Sequence, residues 1–307
     1  MKSLKFLNIS GLLALTVVVG CTSAKNDNQN VTLKSDSSII GGQPSTKGSA
    51  IATSTVALVG VIIDENNQKY QYTCTGSLIR PNVVLTAGHC VPAIPKGGRG
   101  AVLVVFTQDL NQASEKDIRY VTDLVQHPDY ALDKEDEDAR VNKDAEVVVS
   151  ADTKVQNQEE EGELQNANDF AIMKFEGSAP QGYKVANILT DETLLTEGAV
   201  VTLAGFGFTD GVNKVSDGKM NEVQVTVDGH YGNEVVLDQS QGKGACHGDS
   251  GGPAFLEVKG VQYLWGVTSR GIGKDGKDDC SLLSLYGKVF SQKDFITKAL
   301  KQISAQK

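Results

Sequence analysis

Residues 54–87 read STVALVGVIIDENNQKYQYTCTGSLIRPNVVLTA. Two runs rich in β-branched and aromatic residues, STVALVGVII and YQYTCTGSLI, flank the polar cluster DENNQ, and the corner RPN separates the second run from VVLTA. Short apolar runs bounded by Asn, Asp and Pro are the pattern of strands joined by hairpin turns. The same grammar recurs outward along the chain, in AVLVVF, DFAIMKF, AVVTLAGFGF, NEVQVTV, NEVVLD, PAFLEV, QYLWGVTS and SLYGKVF, with turn signals between them. Many short strands with few helical stretches predict an all-β sandwich or barrel.

One helix is expected, in SQKDFITKALKQI near the end. Ser291 and Asp294 resemble a capping box, and Phe295, Ile296, Leu300 and Ile303 share one face, which is expected to pack against the last strand. The segment EGSAPQGYKVANILTDE, residues 176–192, has few strand features and is expected to connect two units of similar size.

At 307 residues and 40% hydrophobic content the chain can bury a sizeable core. A net charge of -9 without a Lys/Arg cluster excludes a surface that tracks nucleic-acid phosphates.

The first twenty residues read as an export signal: Lys2 and Lys5, the apolar GLLALTVVV, then Gly20 before Cys21. The sequence VVGC resembles a bacterial lipobox, which implies lipidation of Cys21, and Thr22 rather than Asp after that cysteine implies an outer-membrane address if there are two membranes. An ordinary signal cleaved at the same bond is the other reading. Five cysteines in an oxidising compartment leave one unpaired, and Cys21 is the expected remainder. Residues 21–38 are polar and without apolar period, and are expected to form a tether or propeptide.

The chemistry concentrates in three places. ACHGDSGGP, Ala245 to Pro253, sets Ser250 in a glycine-rich turn where Gly248 lets the backbone approach a ligand and present its N–H. LTAGHC puts His89 at a strand end, and NDFAIMKF puts Asp169 at the start of an apolar strand, where burial is expected. A serine hydroxyl is a poor nucleophile at neutral pH; it needs a base, and the base needs a buried acid to hold its tautomer.

From IIGG at Ile39 through CTGSLI, LTAGHC, HPDY, DFAIMKF, AGFG and GDSGGP to SLYGKV, the chain resembles the trypsin/chymotrypsin-like serine endopeptidases in motif and order. The resemblance implies two packed six-stranded antiparallel β-barrels with a C-terminal α-helix, the first barrel over about 39–175 and the second, with the helix, over about 176–307. It implies His89 as general base, Asp169 as orienting acid, Ser250 as nucleophile, and the Gly248 and Ser250 amides as oxyanion hole. It also implies disulfides Cys74–Cys90 and Cys246–Cys280. Cleavage before Ile39 would free an α-amino group to pair with Asp249, so an activating protease is an expected partner of a polypeptide-cleaving monomer that needs no metal or cofactor. A catalytically silent lipoprotein using the same fold as a binding surface is the alternative.

Several positions depart from that pattern. Ser38 stands before Ile39 where such zymogens carry Arg or Lys, so a trypsin-like activator is not expected. Gly244, six residues before Ser250, replaces the pocket-floor acid, and the pocket is expected to take uncharged side chains. Ser269 and Gly271 in TSRGIG are expected to pair with substrate backbone, with Arg270 in place of an aromatic and available to acidic groups upstream of the cut. Ser284 on the pocket wall suits a medium apolar or aromatic residue. Asp278 or Asp279 in the long loop IGKDGKDDC is an alternative source of the missing acid. Residues 131–164 hold 12 acidic and 4 basic residues: either a solvated loop, or a neighbour of the cleft that restricts substrates, attracts basic ones or binds a hard cation.

Overall fold

The computed structural model describes residues 39–130, 168–273, 277 and 279–305. The signal segment, Cys21, the tether with Ser38, the acidic insertion 131–164 and Asp278 lie outside these.

In chain order the strands are β1 (Gln43–Pro44), β2 (Thr55–Ile63), β3 (Lys69–Arg80), β4 (Val83–Thr86), β5 (Arg99–Val105), β6 (Ile118–Gln126), β7 (Ala171–Phe175), β8 (Asn187–Ile188), β9 (Val200–Gly205), β10 (Asn221–Tyr231), β11 (Glu234–Asp238), β12 (Pro253–Val258), β13 (Val261–Ile272) and β14 (Leu283–Lys288). Helix α1 (Ala50–Ser54) precedes β2, and α2 (Lys293–Ala305) ends the described chain. The opening hairpin is realised in register, with Thr55 opposite Ser77 and Ile63 opposite Lys69 around the DENNQ turn.

The first six-stranded barrel closes in the order β2-β3-β4-β7-β6-β5. The second closes because β9 pairs with both β10 and β12, giving the ring β9-β10-β11-β14-β13-β12, with the two-residue strands β1 and β8 added at its margin. Closure leaves no long sheet edge exposed. In β10 the alternation is plain: Val223, Val225 and Val227 point into the core while Gln224, Thr226 and Asp228 face out. Each barrel has its own apolar cluster, one containing Val84, Ile172 and Phe175, the other Leu203, Leu237 and Trp265.

Three local expectations are corrected. The segment at Ile39 joins the second barrel rather than the first: Ile39 is buried in that barrel's cluster, and Gln43–Pro44 pair with β10. Helix α2 packs on the first barrel rather than on β14, with Phe295 against the His127 ring and Lys174 Nζ donating to the Ile303 carbonyl. Ser291 does not cap α2, because a 3-10 turn over Phe290–Gln292 runs straight into the helix. Phe295, Ile296 and Ile303 form its buried face as the periodicity predicts.

Candidate active site

The barrels meet along a cleft of about 290 Å³ that both His89 and Ser250 line. His89 sits in a 3-10 turn, Gly88–Cys90, immediately after β4, and the Cys74–Cys90 disulfide ties that turn to β3. Asp169 lies two residues before β7, the strand paired with β4, so the pairing that closes the first barrel carries Asp169 and His89 to the same end.

His89 Nδ1 and Asp169 Oδ2 are 2.8 Å apart, and the backbone N–H of His89 donates to Asp169 Oδ1 at 2.9 Å. The Ser269 hydroxyl donates to Asp169 Oδ2 at 2.8 Å. Asp169 is buried, which by itself pushes its pKa up. The charge and hydrogen bonds of His89, with the Ser269 hydroxyl, outweigh that and hold it below the usual carboxylate value. The result is a carboxylate that stays ionised without solvent and fixes the imidazole from behind.

The Ser250 loop belongs to the second barrel but is held by the first. Thr75 on β3, fully buried, donates its hydroxyl to the Gly248 carbonyl at 2.9 Å, and its own N–H donates to the Ser250 carbonyl at 2.8 Å. The Thr75 hydroxyl also accepts from the Phe206 N–H at 3.2 Å. With both carbonyls turned toward β3, the Gly248 and Ser250 amides are left for a ligand: among the described residues neither N–H donates within the protein. Gly248 has φ +97°, and a Cβ there would press on the Gly207 backbone, so glycine is required at this corner.

Asp249 faces the opposite way. Its carboxylate is buried and accepts from the Gly207 N–H at 2.8 Å and the Cys246 N–H at 2.9 Å. Burial nevertheless pushes it up to about 7, with the two amides only partly opposing. No ion pair reaches it among the described residues. Ile39, fully buried, shares the apolar cluster of Ala245, and Ile40 and Gly244 exchange hydrogen bonds of 3.0 Å in both directions.

Ser269, Arg270, Gly271 and Ser284 all line the cleft, whereas Gly244 is buried and does not; Ala245 lines it instead. Behind Ala245 lies Gln239, which sequence reasoning missed. Its amide donates to the Ala245 and Cys280 carbonyls at 3.1 and 2.8 Å and its oxygen accepts from the Ala245 N–H at 2.6 Å. The Cys246–Cys280 disulfide closes the same wall. Asp279 does not supply an acid to the cleft: it accepts from the Ser281 N–H, and Lys277 and Gly273 are the loop residues on the lining. Nor is Arg270 available to acidic groups upstream, because both its terminal nitrogens bind Glu234, at 2.6 and 2.8 Å. The Ser284 hydroxyl is buried without a partner among the described residues. In the two His-and-Cys groupings among the described residues, Cys74–His89–Cys90 and Cys246–His247–Cys280, the sulfurs are joined in disulfides, leaving one imidazole each, too few ligands for a metal centre there.

A family model described as Trypsin matches residues 39–296. Similar curated proteins include brachyurin of Leptuca pugilator, 30% identical over 65% of this chain and 76% of its own length. Trypsin-1 of Astacus astacus is 25% identical over 65% of this chain and 77% of its own. CLIP domain-containing serine protease B4 of Anopheles gambiae is 24% identical over 78% of this chain, which spans 64% of that longer protein. Among solved structures, one titled "Atomic resolution structure of HBP" shares the fold at TM-score 0.55 and 17% identity, covering 86% of this chain and 97% of its own.

Proposed function

The chain belongs to the trypsin family of serine proteases, and on that premise we propose that it is an exported serine endopeptidase working through Ser250, His89 and Asp169. The carrying observation is the buried Asp169 carboxylate bound to His89 Nδ1 at 2.8 Å, in a cleft that Ser250 shares and that two uncommitted amides adjoin.

A polypeptide lies along residues 269–271, where β14 occupies one edge of β13 and no described strand occupies the other. His89 takes the Ser250 proton as the oxygen attacks the scissile carbonyl, and the Gly248 and Ser250 amides stabilise the oxyanion. His89 then protonates the leaving amine, and water hydrolyses the acyl-enzyme by the reverse sequence. Asp169 steadies the imidazolium without being protonated itself. Among the described residues the pocket lining has no carboxylate, which supports cleavage after uncharged apolar or aromatic residues rather than after Lys or Arg.

Activation proceeds by a cut before Ile39, made by a protease that is not trypsin-like, since Ser38 precedes the bond. The new amine pairs with Asp249, whose buried carboxylate otherwise lacks a cation among the described residues. Both disulfides lie within Cys74–Cys280, so Cys21 and its lipid are released by that cut from an otherwise monomeric domain. The disulfides themselves suit an oxidising, extracytoplasmic compartment.

Labelling by a serine-directed fluorophosphonate tests the enzyme reading. Protein processed before Ile39 is expected to label and Ser250→Ala is not; an unlabelled processed wild type means a silent, binding-only fold. Retention of the Ile39 form on membranes after a high-salt wash would contradict release.

A further inference from the structure

The Arg270–Glu234 pair has no part in the chemistry above, yet it touches the catalytic acid through one intermediary. Glu234 opens β11 and Arg270 lies on β13, the two strands that flank β14, so the pair spans a strand. Its geometry is fork to fork, Nη1 to Oε1 at 2.6 Å and Nη2 to Oε2 at 2.8 Å. Glu234 is 3% exposed. Such a pair holds the guanidinium in one plane, which a lysine could not reproduce.

From that plane Nη1 also donates to the Ser269 hydroxyl at 3.4 Å. That distance is long, so the contact orients rather than binds strongly. Orientation is what a serine hydroxyl lacks, because its single proton rotates to any acceptor within reach. A donor fixed on one side of the Ser269 oxygen turns the proton to the other, where Asp169 Oδ2 accepts it at 2.8 Å. The same carboxylate oxygen accepts from His89 Nδ1 at 2.8 Å. The groups facing Asp169 are therefore the His89 ring and amide and the Ser269 hydroxyl, with Arg270 and Glu234 one step behind as a pair of zero net charge.

We propose that Arg270, held by Glu234, is a positioning residue that directs the Ser269 hydroxyl onto the catalytic acid Asp169. The inference rests on the serine-protease reading only for the word catalytic; the relay itself is a matter of hydrogen bonding.

Because Arg270 acts through Ser269, its removal has no further effect once Ser269 is gone. The test compares wild type, Ser269→Ala, the paired change Glu234→Gln with Arg270→Met, and all three changes together, each in the full chain processed before Ile39. The paired change leaves no buried charge unpartnered. The first readout is the rate constant of fluorophosphonate labelling with a reagent too small to reach upstream subsites. The second is the downfield proton resonance of His89 Nδ1–H.

Ser269→Ala and the paired change are each expected to slow labelling about tenfold, and the triple variant to be no slower than Ser269→Ala. The resonance is expected to shift alike in all three variants. Multiplying losses, or a paired change that alters neither readout, overturns the proposal. If the paired variant does not fold, Arg270→Lys carries the test: it is expected to slow labelling with Ser269 present and to have no further effect in the Ser269→Ala background, and equal slowing in both backgrounds overturns the proposal. An unlabelled wild type defeats the protease reading alone, since the His89 resonance still decides whether Arg270 acts through Ser269.

Discussion

Gln239 and Gly244 exclude one another's side chains: the Gln239 carboxamide occupies the space that a Cβ on Gly244 would need. Gly244 also has φ +155°, a backbone conformation that L side chains rarely adopt. A trypsin-like pocket therefore cannot be restored by one substitution. Gly244→Asp is expected to destabilise the fold by about 1–3 kcal/mol, read by chemical denaturation, and to confer no cleavage after Arg or Lys. Gln239→Ala in the same chain is expected to relieve the collision and recover part of the stability. A wild-type peptide-library profile led by Arg or Lys, rather than by Phe, Tyr, Leu or Met, would refute this account of the pocket.

Thr75 joins the barrels at the Ser250 loop. Valine has nearly the same shape but can neither donate to the Gly248 carbonyl nor accept from the Phe206 amide. Thr75→Val is expected to cost about 1–3 kcal/mol of stability and to slow fluorophosphonate labelling about tenfold or more, because the loop presenting the Gly248 and Ser250 amides loosens. Labelling at the wild-type rate would show that the loop holds its shape without β3.

Asp169 makes the imidazole's orientation depend on one buried carboxylate. Asp169→Asn is expected to lower kcat by about 10⁴, through the wrong imidazole tautomer, while leaving KM for a peptide substrate largely unchanged. A loss confined to KM would indicate that Asp169 only supports the substrate strand.

Asp249 sets a pH signature of the uncut chain. Its folded value of about 7 lies above the ordinary value of 3.8, so the folded uncut protein holds an extra proton between them. The associated stability is fully present below the lower value and is lost as pH rises through about 7. Uncut protein is expected to be weaker at about pH 8 than at about pH 5 by on the order of a few kcal/mol. A cut before Ile39 is expected to abolish this loss, since a paired ammonium favours the carboxylate. Identical pH dependence of the denaturation midpoint in both forms would rule out the Ile39–Asp249 pairing.

Much of the fold was legible because hairpins are local. The alternation in β10 and the turn residues at DENNQ and RPN act over short stretches of chain, and the structure realises them nearly as written. The nucleophile loop was legible for a related reason: the Gly248 corner is a local backbone requirement, and it leaves glycine in the sequence. Glu234, Gln239 and Thr75 were not legible. Glu234 lies 36 residues from Arg270, and Thr75 lies 173 from Gly248. Each is a common residue type whose role appears only when a distant partner arrives. The seating of Ile39 in the second barrel and of α2 on the first was misjudged for the same reason, since an apolar face specifies burial but not the surface it meets.

Read as a bare string, the chain already specifies an all-β protein with Ser250, His89 and Asp169 in motifs of one family, because strand periodicity, turn chemistry and glycine corners are short-range constraints. It took the folded barrels to put Gln239 behind the pocket wall, to make Thr75 the brace of the nucleophile loop and to bind Arg270 to Glu234 instead of leaving it for a substrate. Those outcomes depend on which buried donor meets which acceptor after both barrels close, and closure brings together residues that no local pattern relates.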